Sequence, residues 1–134
     1  MTIVLNMSCM NLLERFQQQL IPVAEWTHEA HLRVALEHLL VDRATALDAM
    51  RRGIVALNAA HGIPMTPTSG YHETLTQVWL RMVELTWERY GSWEAVWERL
   101  QDKKMPLRFY TKEVIMSWEA RIGWVEPDLA PLAV

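Results

Sequence analysis

Cysteine is almost absent from the chain. Cys9 stands alone in 134 residues, which excludes an intrachain disulfide framework and a cysteine metal site and fits a reducing, cytoplasmic setting. An excess of positive charge is missing too. Thirteen Lys and Arg against sixteen Asp and Glu leave a net charge of −3, and the tightest basic groups are only Arg51-Arg52 and Lys103-Lys104. A nucleic-acid footprint needs a basic face or stripe, so no nucleic-acid partner is expected and a helix-turn-helix regulator ranks low. Nor does any apolar run approach the roughly 18 residues of a membrane span. The start, Ile3-Val4-Leu5 and then Met7, is broken by Asn6, Ser8 and Asn11 and lacks a basic n-region, so it makes a poor signal peptide. No membrane partner is expected either.

Strand-like alternation, internal repeats and linkers are all missing as well. What remains is a chain long enough for one domain with a real core. Seven Trp and eight Met supply large residues for that core, or adaptable walls for an apolar pocket.

Helical spacing recurs throughout. Leu12, Leu13, Phe16 and Leu20 mark a first amphipathic helix over about residues 8–20, with Pro22 beyond its end. Thr27 reads as the N-cap of a second helix, residues 28–41, with Leu32, Ala35, Leu36 and Leu39 as its stripe. A third, residues 44–61, starts at the loose capping box Thr45-Ala46-Leu47-Asp48 and closes at His61 with Gly62 as a left-handed cap. Its stripe is Leu47, Met50, Ile54 and Leu57, and Gly53 in mid-helix costs roughly 1 kcal/mol against alanine. After a Pro- and Thr-bearing loop, a long fourth helix spans residues 71–90 and a short fifth spans 93–100 behind Ser92. Short helical pieces at about 107–110 and 112–116 and an apolar tail over 118–134 complete an all-α, single-domain bundle of four to five helices with a packed tail.

The chemistry-bearing residues gather at helix starts. His28-Glu29-Ala30-His31 opens the second helix, and Tyr71-His72-Glu73 opens the fourth. Short connections make consecutive helices antiparallel neighbours, so both starts should meet Asn58 and His61 at one end of the bundle. On a helical wheel His28 and His31 lie about 60° apart and border the apolar stripe. Neutral imidazoles from two helices suit Zn, Fe, Ni or Cu, with positions left open for water or substrate. His28, His31 and His72 are therefore the expected metal ligands. Glu73 or Glu29 would be a base or a partner of the ligands, and Tyr71 a hydrogen-bond donor. The spacing is one residue shorter than the His-Glu-x-x-His zinc-protease motif, which excludes a zincin. The plainer reading makes these histidines helix-end hydrogen-bonders; for His61 the helix dipole alone is explanation enough.

Trp26-Thr27-His28-x-x-His31-Leu32, Asn58-x-x-His61-Gly62 and Gly70-Tyr71-His72-Glu73-Thr74-Leu75-Thr76 with Trp79 resemble a family of small bacterial all-α proteins of no settled activity. Tyr110-Thr111, Ser117-x-Glu119-Ala120-Arg121 and Trp124-Val125-Glu126-Pro127-Asp128-Leu129 extend the resemblance over most of the chain after residue 24. A more distant analogy is to DinB-like bundles, which hold a metal with histidines from separate helices.

Two functions follow as expectations. The first is a small cytoplasmic enzyme, metal-dependent or running on histidine acid–base chemistry, acting on a small, largely apolar molecule. The alternative is a non-catalytic helical module that binds a ligand or a protein through Trp87, Trp93 and Trp97, its histidines structural. Both leave a homo-oligomer open.

Overall fold

The computed structural model describes residues 10–134. Cys9, the apolar start and the first residues of the expected 8–20 helix lie outside the described residues. Among the described residues the fold is all-α, with no strand and one isolated bridge between Thr66 and Ser69. Seven helices follow in order: α1 (Leu12–Gln17), α2 (His28–Val41), α3 (Ala46–Ala60), α4 (Glu73–Tyr90), α5 (Trp93–Leu100), α6 (Lys112–Ile115) and α7 (Trp118–Ile122). No described helix is long and apolar enough to cross a membrane.

Helix α1 is shorter than its periodicity predicts, for two local reasons. The Asn11 carboxamide accepts the Glu14 amide at 2.9 Å and fixes the start. Gln19 turns to φ 56°, which ends the run before Leu20. Helix α2 begins where the sequence places it, with the Thr27 hydroxyl accepting the Ala30 amide at 3.2 Å. It touches α1, α3 and α4, so it is apolar on more than one side: Ala30, Leu32, Val34, Ala35, Leu36 and even His38 are buried. Helix α3 starts without the expected capping box. The Thr45 side chain makes no cap bond to its helix and instead donates to the Asp42 carbonyl. At the far end Gly62 sits at φ 69°, as a left-handed cap requires.

Gly53 faces the Phe16 ring. A Cβ at that position would fall inside the ring's van der Waals envelope, and Phe16 is fully buried, so it has nowhere to swing. Gly53→Ala should therefore lower stability by about 1–3 kcal/mol through overpacking, outweighing the roughly 1 kcal/mol of helix propensity gained. Urea unfolding checks this, and adding Phe16→Leu should restore part of the loss because the two sites share one space.

Helix α4 is the spine of the bundle, in contact with α2, α3, α5 and α7. It opens at Glu73, two residues later than its pattern predicts, because the His72 side chain serves as the N-cap. Gly91 ends it at φ 67°. Beyond α5, the turn Met105–Arg108 buries Met105 and Pro106. The tail contains a helix the apolar pattern does not announce: Ser117 accepts the Ala120 amide at 3.1 Å and opens α7.

The tail is fastened to the start of α4. The buried Thr74 hydroxyl donates to the Gly123 carbonyl at 2.6 Å and accepts from the Val125 amide at 3.1 Å. Tyr110 donates to the Val125 carbonyl at 2.6 Å. Thr111 donates its amide and its hydroxyl to the two oxygens of Asp128, each at 2.8 Å. Arg121, buried, donates to the Gly70 carbonyl at 2.9 Å. These bonds hold the segment Gly70–Thr74 in place, and that segment forms one wall of the site.

Candidate functional site

Where α2 and α4 begin and α3 ends, the fold forms a cavity of about 570 Å³ that opens to solvent on one side. That is the size of a small-molecule site. Its walls are largely apolar, with Trp26, Leu32, Ile54, Leu75 and Trp79 among them. His28, His31, Asn58, Tyr71, His72 and Lys103 supply most of the polar lining. Gly70 enters it at φ 89°, with Met65 Cα and Pro64 O each 2.9 Å from where a Cβ would stand, so only glycine lets the backbone close there.

The three expected metal ligands all line this cavity, but their nitrogens are engaged unequally. His72 is buried, and its Nδ1 accepts the Leu75 amide at 3.0 Å while its Nε2 lies 2.8 Å from the Ile115 carbonyl oxygen. A carbonyl only accepts, so Nε2 carries the proton and no lone pair is left. His28 places Nε2 2.8 Å from the Leu100 carbonyl oxygen, which puts the proton there and leaves Nδ1 as an acceptor in the neutral ring. His31 donates from Nδ1 to the Thr27 carbonyl at 2.8 Å, leaving the Nε2 lone pair. The Trp26 ring covers His31 with centroids 3.8 Å apart, and the Trp79 ring meets His28 edge-on at 4.6 Å.

This donor set does not fit a three-histidine metal centre. Two rings each have one nitrogen to give, and the third has none without breaking a helix cap and a carbonyl bond. Among the described residues no three His, Cys, Asp or Glu side chains come together to hold an ion.

The two glutamates stand apart from the cavity. Glu29 is exposed on the outer face of α2, 4.0 Å from Arg33. Glu73 is buried and fully committed: Arg51 grips it with two bonds of 2.9 and 2.7 Å, Tyr71 donates to it at 2.8 Å and Gln77 at 2.6 Å. The Arg51 guanidinium, aided by these hydrogen bonds, holds its carboxyl down at about 2. It is a structural anion rather than the base expected for it. The same bond makes Tyr71 an acceptor toward any ligand, because its proton already belongs to Glu73. Burial raises the Tyr71 hydroxyl pKa further. Helical periodicity alone turns Glu73 toward the polar face of its helix, and only the packing of α3 brings Arg51 over it.

His61 ties the end of α3 to the segment before α2, its Nε2 2.7 Å from the Ile21 carbonyl oxygen. His38 lies elsewhere, buried with its ring edge-on to Phe16 at 5.6 Å. Asn58 stands at the end of α3, and Lys103 belongs to a basic pair that the sequence alone reads as solvated surface. Both line the cavity, and among the described residues neither carries a side-chain hydrogen bond or ion pair. Lys103 belongs to the segment after α5, too far in sequence from the histidines for spacing to reveal it.

Burial holds the His31 pKa down at about 4, with the positive fields of His28 and Lys103 adding to it against the Thr27 carbonyl. Burial also lowers His38 and His72. In each case the folded chain refuses protons that the unfolded chain accepts below about 6.5, so stability is lost as pH falls. His31 sets the window from about 6.5 down to about 4. The depressed Glu73 adds a second loss from about 4.5 to about 2, and the raised carboxyl of Glu37 acts in the opposite sense. The urea midpoint should therefore decline from about pH 6.5 downward, and His31→Phe should flatten the upper part of that decline.

Comparison with known proteins matches no family model, no curated protein and no solved structure.

Proposed function

We propose that this chain is a small cytoplasmic protein that takes up a small, largely apolar molecule between α2, α3 and α4, and that His31 and His28 meet it as proton acceptors. The observation that carries this reading is the pairing of a 570 Å³ cavity with two lining imidazoles whose other nitrogens are fixed on backbone carbonyls. Such fixing selects one tautomer and aims one lone pair, as in sites built for acid–base work. Acid–base chemistry shared between His28 and His31 is the reaction class this arrangement serves best. Asn58 and Lys103 would orient the ligand, and the Tyr71 hydroxyl, locked onto Glu73, would offer it a lone pair. No step is assigned to a metal, since the donor set lacks a third nitrogen. By its Trp-Thr-His and Gly-Tyr-His-Glu motifs the chain resembles the family of small bacterial all-α proteins.

The test is ligand-observed NMR with a set of small apolar alcohols, phenols and amides. Compounds bound by the wild-type chain should lose most of their binding to His31→Phe, which keeps an aromatic ring beneath Trp26 but removes the lone pair, at little cost in melting temperature. Binding that survives the substitution unchanged, or no binding at all, would sink the reading.

A further inference from the structure

We propose that the ligand of this cavity is an amphipathic carboxylate: an apolar body with one carboxylate placed against Lys103 and one hydroxyl or N–H donor directed at His28 and His31. This rests on the cavity being the ligand site. Three features of the lining carry it.

The lining offers mostly lone pairs. In the neutral rings His28 Nδ1 and His31 Nε2 can only accept. The Tyr71 proton is given to Glu73 and the Thr76 proton to the His72 carbonyl, at 2.8 Å each, so these two hydroxyls also have only lone pairs left for a ligand. Acceptors from α2, α4 and the loop before α4 are part-buried and thus call for a ligand that brings its own donor, because an acceptor that a ligand covers and leaves unpaired costs about 1–3 kcal/mol.

The charge of the lining has one sign. No Asp or Glu lines the cavity, and Lys103 does. Among the described residues Lys103 has no carboxylate within ion-pair distance, whereas Arg51, Arg43 and Arg81 all have one. A ligand cation would meet acceptors but also the Lys103 ammonium at the rim; a ligand anion meets its counter-charge.

Apart from Asn58 and Thr27, the rest of the wall is apolar. Trp26, Leu32, Ile54, Leu75 and Trp79 leave most of the surface with nothing to offer a sugar or a nucleotide, and a molecule polar all round would lose its hydration without replacement.

Three matched probes separate these elements: 3-phenyllactate, its methyl ester, and 3-phenylpropionate. Binding is read from the indole N–H signals of Trp26 and Trp79 at millimolar probe. 3-Phenyllactate should bind about tenfold tighter than the ester, a difference of about 1.4 kcal/mol, and tighter than 3-phenylpropionate, which lacks the hydroxyl. Lys103→Gln, an exposed position whose change leaves the fold intact, should reduce the acid-over-ester preference to about twofold or less while keeping the hydroxyl preference. Equal binding of acid and ester to the wild-type chain, or a preference that persists in Lys103→Gln, overturns the carboxylate assignment and leaves the cavity as the ligand site. Equal binding of 3-phenyllactate and 3-phenylpropionate overturns the donor assignment. If none of the three perturbs either indole, the ligand site itself fails and this inference fails with it.

Discussion

Arg51→Met should lower stability by about 2–3 kcal/mol. Glu73 is 8% exposed, and without Arg51 its carboxylate keeps only the bonds from Tyr71 and Gln77. Breaking a buried ion pair by removing one partner commonly costs about 3–5 kcal/mol, because the remaining charge is stranded. The Arg51 side chain is 39% exposed, so water reaches the pair and the lower figure applies. The deficit should depend on pH in a defined direction. In the wild-type chain the depressed Glu73 contributes stability above about 4.5 that is lost as pH falls toward about 2. The variant lacks that contribution, so the gap between the two chains closes over the same range. Adding Glu73→Gln should recover part of the loss, since a neutral amide still accepts from Tyr71. Urea unfolding from about pH 7 to about pH 3 checks all three statements; a loss below about 0.5 kcal/mol at neutral pH would mean the pair is solvated.

His72→Ala should cost about 2–3 kcal/mol. It strands the Leu75 amide at the start of α4 and the Ile115 carbonyl, and each lost partner in a buried setting costs about 1–3 kcal/mol. His72→Asn should return about 1 kcal/mol, because asparagine caps helices as well as any residue, while the bond to Ile115 stays broken. The pair of variants also separates a structural His72 from a metal ligand. If His72 serves the fold alone, His72→Asn binds ligand like the wild-type chain once stability is accounted for. If it holds an ion, the same variant loses bound metal and function together, however well it caps α4.

Much of the fold could be read from local chemistry. The bounds of α2 follow from Thr27 and the Leu32–Leu39 stripe, and those of α5 from Ser92. The ends of α3 and α4 follow from Gly62 and Gly91, which reach φ 69° and 67°. The sequence is silent where a side chain does a job that its residue type does not announce. Histidine is an uncommon N-cap, so His72 and the true start of α4 were hidden. Thr45 looked like a cap and turned instead to Asp42. Helix α7 is only five residues long, too short for periodicity, although Ser117 three residues before Ala120 is a cap signal that could have marked it.

The site divides in the same way. Antiparallel packing of helices with short connections is enough to bring His28, His31, Asn58 and His72 to one end. What each imidazole does there depends on carbonyls remote in sequence, Leu100 for His28 and Ile115 for His72, and no spacing rule carries that information. Glu73 shows the same limit from the other side, since its role is decided by Arg51, 22 residues earlier.

His31 and His28 each keep one lone pair at the cavity while His72 keeps none. Nitrogen-15 NMR of the imidazole rings tests it directly, because protonated, hydrogen-bonded and bare ring nitrogens resonate apart. His31 should show the Nδ1–H tautomer and stay neutral down to about pH 4, with the Nε2–H tautomer at both His28 and His72. An imidazolium or an Nε2–H tautomer at His31 near neutral pH would contradict it.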